Sequence, residues 1–328
     1  MKNYYLPVLF LLFASCIAQA QQEDHFTQFM HNKLAFNPAY AGSTGSSRLT
    51  AMARQQWIGI EGAPEAQLVT FNSALNARVG IGGSLVRSSI GIMDRYTLEG
   101  DYAYRFRLGN GYFGIGASAS IRLIQANLDE LVANQPIETD NAIPTGFQSR
   151  VTPNFGGGFY YNSTDFYVGF SIPRFLKSSI DLSDDQGTIS KEDRHWYLMT
   201  GFNVRLVDND IVMQPNFLLK YVEGAPFDAD INLSFTFFEQ FTAGASYRTG
   251  GNKDNSIGES VSGLISSRIG DKWMIGASYD FTLSDLQDYN DGSAELFLHH
   301  FFGGKSGKGA TYDNPRFFNS NGSNKRFY

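Results

Sequence analysis

Hydrophobic and polar residues alternate along most of this chain, and the stretch "WMIGASYDFTL" from Trp273 to Leu283 shows the pattern clearly. Every second residue from Trp273 onward is apolar or aromatic, whereas the residues between them are mostly small or polar. A period of two places the two sets on opposite faces of a β-strand. The apolar face must be covered either by a second sheet or by lipid.

The same alternation recurs over nearly the whole chain after residue 46, where no helical period of comparable strength competes with it. In "YFGIGASASIRL", for example, Ala119 belongs to the apolar set, and Ser120 and Arg122 belong to the polar set. The pattern predicts about fourteen strands. Their expected positions are near residues 46–57, 65–75, 78–87, 94–108, 111–126, 150–162, 164–173, 193–206, 210–220, 227–238, 240–249, 256–269, 271–284 and 292–302.

The predicted connections alternate in length. Short connections follow the even-numbered strands, and longer ones follow the odd-numbered strands, with the longest at residues 127–149 and 174–192. An even number of strands with short turns at one end and long loops at the other is typical of outer-membrane barrels. Because the short turns of such barrels face the periplasm, the layout predicts that both termini are periplasmic.

A soluble β-sandwich would also alternate, but two features favour a barrel in lipid. Strands of ten or more residues are longer than those of most soluble sheets and match a tilted crossing of a bilayer. In addition, the polar face carries charges in the middle of strands, as at Glu99, Asp101 and Arg122. We therefore predict an all-β fold, a transmembrane antiparallel outer-membrane β-barrel of about fourteen strands with an N-terminal plug segment.

The N-terminus predicts an exported protein. Lys2, an apolar run that is too short to span a bilayer, and the small residues Ala18 and Ala20 are typical of a signal peptide cleaved after Ala20. A lipoprotein anchored at Cys16 is the alternative, although the bulky Phe13 fits that motif poorly. The predicted organisation is a signal peptide (1–20), a periplasmic or plug segment (21–45), a barrel (46–302) and a periplasmic C-terminal tail (303–328).

Composition argues against several functional classes. The net charge of −6 and the absence of a clustered basic stripe in the sequence argue against a nucleic-acid-binding protein. The five histidines form no metal or catalytic arrangement, and His299 and His300 are neighbours on one strand and so face opposite sides. The acidic loop at 181–192 lacks the glycine position and flanking helices of a calcium loop. We therefore expect no enzymatic activity, no cofactor and no metal, although calcium binding by this loop stays open.

The lumen of a fourteen-stranded barrel is too wide for wall side chains alone to fill. The segment before the first strand, "HFTQFMHNKLAFNPAYAG" at 25–42, is rich in aromatic residues and would be costly to expose to water. We predict that it folds into the lumen as a plug. The residues that carry this prediction are Phe29, Phe36, Asn37, Pro38 and Tyr40.

Several stretches of the chain in a fixed order resemble the PorP/SprF family of type IX secretion system membrane proteins from Bacteroidetes. They are "DHFTQFMHNKLAFNPAYAGS", "RQQWIGIEGAPEAQLVTFN", "TPNFGGGFYY", "DFYVGFSIPRFL", "LLKYVEGAPFDADINLSF", "GASYR" and "NPRFF". The resemblance extends over essentially the whole chain from Gln21 to Phe318. The resemblance implies an integral outer-membrane component of the secretion and gliding machinery. PorP-like members associate with the periplasmic ring of the apparatus, and SprF-like members assist export or surface attachment of an adhesin with a type B C-terminal domain. The sequence leaves open whether this chain is a PorP-like or an SprF-like member.

The C-terminal tail is basic. Five Lys and Arg residues against Asp313 give residues 303–328 a charge of +4, and "NPRFF" places Arg316 beside Phe317 and Phe318. Arginine and aromatic residues are enriched at interface hot spots. These residues could dock on a periplasmic secretion component, or they could fold back and seal the barrel floor.

A second functional class is a FadL-like transporter of hydrophobic small molecules, which shares the strand number and an N-terminal hatch with an "NPA" turn, here Asn37-Pro38-Ala39. Against it, the loop at 127–149 is acidic rather than apolar. A general porin is a third possibility and predicts an open, conducting lumen.

Overall fold

The computed structural model describes residues 25–130, 146–179, 191–207, 210–223, 225, 227–250 and 258–302. Within them the chain forms a closed antiparallel barrel. The strands are β1 (Ser47–Gln55), β2 (Glu65–Ala74), β3 (Val79–Ile90), β4 (Met93–Leu108), β5 (Gly111–Asn127), β6 (Phe147–Asn162), β7 (Phe166–Ile172), β8 (Ser178–Ser179), β9 (Lys191–Glu192), β10 (His195–Phe202), β11 (Val204–Val207), β12 (Ile211–Val222), β13 (Asp228–Phe237), β14 (Phe241–Arg248), β15 (Ser260–Ile269), β16 (Trp273–Thr282) and β17 (Ser293–Phe302).

Neighbouring barrel strands pair in sequence order, and two pairings close the ring: β1 pairs with β17, and β10 pairs with β12. β8 and β9 form a separate small hairpin. β10 and β11 are two parts of one crossing, interrupted where Pro215 of β12 lies opposite. Proline has no N–H to donate to the ladder, which accounts for the break. The described barrel therefore has fourteen crossings, as the sequence predicts.

The period-two pattern sorts residues between the inside and the outside of the barrel. On β16, Trp273, Ile275 and Phe281 are exposed on the outer face, whereas Met274 and Asp280 are buried inside. Buried polar residues line the interior on every side, and the exposed large apolar residues face outward. The apolar face therefore meets lipid, because an outward apolar band around a polar interior is the arrangement of a membrane barrel.

Connections at the two ends of the barrel differ in length. At the long-loop end the structure describes residues 56–64, 91–92, 128–130, 146, 173–179, 191–194, 223, 225, 227, 249–250, 258–259 and 283–292. At the short-turn end it describes residues 75–78, 109–110, 163–165, 210, 238–240 and 270–272, together with the start of β1 and the end of β17. The connection between β3 and β4 is shorter than predicted. β3 and β4 continue beyond their predicted limits to a two-residue turn, in which Gly91 takes the left-handed conformation (φ 56°).

Helical structure in the described ranges consists of short 3₁₀ turns, such as Leu128–Glu130 and Asp285–Asp288. No helix in these ranges has the length and apolar character needed to cross a membrane.

Candidate functional site in the barrel interior

The most distinctive feature of the interior is the N-terminal segment, defined here as residues 25–44. All of its residues are buried except Ala35, which is half-buried. Three 3₁₀ turns, Phe29–His31, Lys33–Ala35 and Pro38–Tyr40, fold it compactly. Its contacts run along the lumen, from strand residues near the long-loop end at His25 to strand residues near the short-turn end at Gly42. We call residues 25–31 its outer half and residues 34–42 its inner half.

Glycines on the barrel wall let the inner half approach the strands at backbone distance. A methyl group added at Gly116 would overlap the backbone of Pro38 and Ala39, and one at Gly80 would overlap Ala41 and Gly42. Gly158 likewise faces the side chain of Asn37 so closely that an added methyl group would overlap Oδ1. The wall is therefore shaped to receive the segment's backbone.

Asn37 fixes the inner half to the barrel wall. Its Nδ2 donates to the carbonyl of Phe159 (2.9 Å) and, at 3.4 Å, to that of Phe170. Its Oδ1 accepts from the backbone N–H of Ala39 (2.9 Å) and so caps the turn that begins at Pro38. One buried amide thus joins the segment to both β6 and β7.

The aromatic residues of the segment pack against tyrosines of the wall. Phe36 meets Tyr197 edge to face at 5.5 Å between ring centroids, and Tyr40 meets Tyr160 at 5.2 Å. Arg48 donates to the hydroxyl of Tyr40 at 3.0 Å. Edge-to-face contacts of this kind add about 0.5–1.5 kcal/mol beyond area burial.

Charged wall residues hold the outer half instead. The carboxylate of Glu295 accepts the backbone N–H groups of Thr27 (2.8 Å) and Gln28 (2.9 Å). Arg54 bridges the carboxylates of Asp280 (2.6 Å) and Glu295 (3.3 Å) and donates to Thr27 Oγ1 (2.8 Å). Thr27 Oγ1 in turn donates to Asp280. We call Arg54, Asp280 and Glu295 the carboxylate cluster.

A second charged group surrounds His25. The ammonium of Lys220 lies 2.9 Å from His25 Nδ1 and pairs with Asp228 (3.2 Å) and Asp230 (2.7 Å). Arg248 also pairs with Asp230, at 2.6 Å. Burial, and then the nearby cations of Lys220, Arg248 and Arg54, hold the pKa of His25 well below its usual value. His25 is therefore neutral, and its Nδ1 accepts a hydrogen bond from Lys220.

A recess lies beside the segment near the long-loop end. Its cavity volume, measured as the space open to the centre of a water-sized sphere, is about 60 Å³, and the recess is partly open to solvent. Its lining includes the apolar side chains of Phe26, Phe36, Leu68, Val86 and Tyr197 and the polar side chains of Glu99, Arg122, Arg174 and His195. Arg122 and Arg174 both pair with Glu192, at 2.5 and 3.4 Å.

The structure brings together the five residues that carry the plug prediction. Phe29, Phe36, Asn37 and Tyr40 are buried inside the barrel along with Pro38. Arg316, Phe317 and Phe318 lie outside the described residues, as does most of the acidic loop at 181–192. In the described ranges, no three His, Cys, Asp or Glu side chains are grouped so as to hold a metal ion.

Sequence reasoning missed the carboxylate cluster. Asp280 and Glu295 lie on the consecutive strands β16 and β17, but Arg54 lies on β1, and only closure of the ring through the β1–β17 pairing brings it to them. The available signal was weak: Arg54, Asp280 and Glu295 each lie near the end of a predicted strand, where charge is common.

His25 lies near the long-loop end of the barrel. It contacts Lys220 and Asp228, which lie beside the connection at 223–227. β17 ends at the short-turn end. The periplasmic position of both termini stays a prediction, because residues 1–24 and 303–328 lie outside the described residues.

The model of the family described as "Type IX secretion system membrane protein PorP/SprF" matches residues 18–300. No curated protein sequence matches the chain.

Among solved structures, the CymD monoaromatic hydrocarbon channel is similar, with a TM-score of 0.50, 11% identity and coverage of 85% of this chain and 94% of that one. The Pseudomonas putida toluene transporter TodX has a TM-score of 0.47 and 11% identity, covering 82% of this chain and 91% of that one. The Acinetobacter baumannii outer membrane protein Omp33 has a TM-score of 0.46 and 8% identity, covering 78% and 98%. At such identities the likeness to CymD is one of fold alone.

Proposed function

The chain belongs to the PorP/SprF family of type IX secretion system membrane proteins, and we propose that it assists the export or surface attachment of a partner adhesin with a type B C-terminal domain. The observation that carries the proposal is the family match over residues 18–300, which covers the barrel up to the last residues of β17. The adhesin and the gliding role come from the family resemblance.

The contents of the lumen support a role in assembly rather than in free diffusion of solutes. The buried N-terminal segment contacts wall residues on β1, β2, β6, β7, β16 and β17. On this proposal the segment is a plug, built around Phe29, Phe36, Asn37, Pro38 and Tyr40. A plugged barrel acts through surfaces that it presents to partners at its two ends.

Affinity purification from native outer membranes tests the proposed function. We expect an affinity-tagged chain to co-purify periplasmic ring components of the type IX system and one adhesin that carries a type B C-terminal domain. The matched control is an unrelated outer-membrane barrel with the same tag. Recovery of neither partner above that control would contradict the proposal.

The C-terminal tail is the proposed contact with the periplasmic ring. β17 ends at the short-turn end, which on this proposal faces the periplasm, and the tail that follows carries a charge of +4. We expect Arg316→Glu with Phe317→Ala to leave the barrel assembled but to weaken capture of ring components. Lys325→Glu with Phe327→Ala is the matched control, because it makes the same changes further along the tail. Capture of ring components by the first variant at wild-type yield would leave the tail as a seal of the barrel floor.

The second candidate function is that of a FadL-like transporter, and the observation that favours it is the recess. Its apolar wall, formed in part by Leu68 and Val86, could accept a hydrophobic small molecule. Binding of a fluorescent apolar probe such as N-phenylnaphthylamine tests this candidate. Saturable binding that Val86→Asp abolishes would favour it, and equal binding by both proteins would count against it.

A further inference from the structure

We propose that the outer half of the N-terminal segment is a displaceable cover over a peptide-binding site formed by the carboxylate cluster, Arg54, Asp280 and Glu295. In its place the site would bind a cationic, turn-forming segment of another protein, entering from the long-loop end. The inference rests on the proposed function only in taking the partner to be a protein.

The contacts that hold the outer half are ones that another chain could supply if it turned in the same way, because Thr27 and Gln28 lie in a turn that leads into the 3₁₀ turn Phe29–His31. Glu295 accepts two successive backbone N–H groups, those of Thr27 and Gln28, and neither contact depends on which side chain these residues carry. Backbone capture by a fixed charged group is a common mode of peptide recognition. The chain's own residues therefore occupy a site that could hold the backbone of another peptide segment.

The composition of the cluster indicates the chemistry of the partner. Asp280 and Glu295 place two carboxyl groups side by side, and among the described ion pairs they share one cation, Arg54. The group around His25 is balanced by comparison, with Lys220 and Arg248 against Asp228 and Asp230. A lysine or arginine of a partner would supply a second cation for these two carboxyl groups, which the uncharged Thr27 and Gln28 do not.

The outer half, which forms the cover, contains a buried side chain whose polar atoms lack hydrogen-bond partners. Gln28 is fully buried, yet neither its Nε2 nor its Oε1 has a hydrogen-bond partner among the described residues. A buried amide without partners is a cost to the covered state, and that cost disappears when the side chain reaches water. This lowers the free energy needed to displace the outer half.

The two halves of the segment differ in how they can move. Phe26 of the outer half lines the recess near the long-loop end, so its departure would enlarge a space that already exists. The inner half is interlocked with wall glycines and held by Asn37. Displacement would therefore open a blind pocket from the long-loop end while the inner half still separates the two ends of the lumen.

Cysteine labelling of the purified full-length protein in detergent tests the proposal. Cys16, the one cysteine of the sequence, lies in the predicted leader, so Phe26→Cys and Ala39→Cys each give a single reporter. Both positions are buried. We expect Glu295→Gln to speed maleimide labelling at residue 26 by about tenfold or more, with no change at residue 39.

A synthetic peptide of about eight alternating lysines and serines is the binding probe, and its glutamate–serine counterpart is the control. We expect the lysine peptide to speed labelling at residue 26 when Glu295 is intact, and the glutamate peptide to have no effect. Equal effects of the two peptides, no effect of either peptide, or parallel acceleration at residue 39 would overturn the proposal. If Glu295→Gln fails to assemble, as judged by heat-modifiability on gels, the peptide comparison decides alone. Because no secretion partner is present, failure here is distinct from failure of the proposed function.

Discussion

At the scale of single residues, side-chain size decides where the N-terminal segment can rest. Gly116 and Gly158 face the backbone of Ala39 and the amide of Asn37 so closely that no Cβ fits between them. The outward-facing Gly100, by contrast, has no atom within 4 Å of the position that a Cβ would take. Glycine is required at the first two positions by contact with the segment and is free to vary at the third.

Gly116→Ala should therefore loosen the segment without preventing barrel formation. Overpacking a well-packed contact costs roughly 1–3 kcal/mol, and here the strain falls on the segment because the strand ladder is continuous. The measurement is limited proteolysis of the N-terminal segment, with Gly100→Ala as the control. Equal protease resistance of the two variants would contradict the role assigned to Gly116.

The direction in which a side chain points decides the effect of a new charge. Ala119 is exposed on the outer face of β5, and Ser120 is buried inside, next to Glu99 on the neighbouring strand. We expect Ala119→Arg to impair assembly, because arginine facing mid-bilayer costs roughly 2–4 kcal/mol. Ser120→Arg should be tolerated better, since Glu99 can pair with it. Heat-modifiability on gels compares the two variants, and an equal shift for both would refute the assignment of faces.

At the scale of elements, the N-terminal segment combines two kinds of attachment. Its inner half is fixed by shape, through glycines and the buried Asn37, and its outer half is fixed by charge, through Glu295 and Lys220. Shape complementarity is insensitive to solution conditions, whereas charge contacts depend on protonation. The outer half should therefore be the part of the segment that responds to pH.

Acidification should destabilise the attachment of the outer half through His25. Its pKa is held well below the usual value of 6.5, chiefly by burial and then by Lys220, Arg248, Arg54 and His195, although Asp228 lies 3.6 Å away. The neutral form is thus favoured in the folded state. Its contribution to stability is complete above the unfolded pKa and is lost as pH falls below it, by up to about 1.4 kcal/mol per pH unit.

Urea unfolding in detergent at about pH 7.5 and about pH 5 measures this loss. His25→Gln is the matched variant, because its amide oxygen can still accept from Lys220 but does not titrate in this range. We expect a smaller loss of unfolding free energy in His25→Gln than in the parent. The same pH dependence in both proteins would show that other groups are responsible.

At the scale of the whole molecule, the side chains of the barrel wall and the N-terminal segment pack together inside the barrel. Strand residues from both sides of the ring contact the segment, from Ser171 on β7 to Glu295 on β17. The wall polar groups that hold it would otherwise need water as their partner. Removal of the segment should therefore leave a hydrated lumen rather than a collapsed one.

Deletion of residues 25–42 should accordingly open a pore. We expect the intact protein to be nearly silent in planar bilayers and the deletion variant to conduct, because a fourteen-stranded lumen is wider than its wall side chains can fill. The control is the Gly100→Ala variant, which keeps the segment. Conductance of the intact protein at the level of a general porin would contradict the proposed plug.

The sequence by itself determined the barrel. Period-two alternation fixes which face of each strand meets lipid, because one step along a strand reverses the side chain, and Trp273 and Ala119 lie on the predicted face. Most turn positions and the number of crossings could also be predicted, since each strand and turn is recognised from residues close together in the chain. The family resemblance could be recognised because it depends on the order of several stretches along the chain and not on their positions in space. The exception is the turn at Gly91, which the pattern placed within a longer connection.

Only the tertiary structure decided the arrangement of the interior. The carboxylate cluster joins Arg54 of β1 to Asp280 of β16 and Glu295 of β17, and closure of the ring brings β1 beside β17. The path of the N-terminal segment from one end of the lumen to the other was likewise hidden. It depends on which wall glycines and carboxylates face each other across the lumen, and a sequence pattern that repeats every two residues carries no information about distance across a barrel.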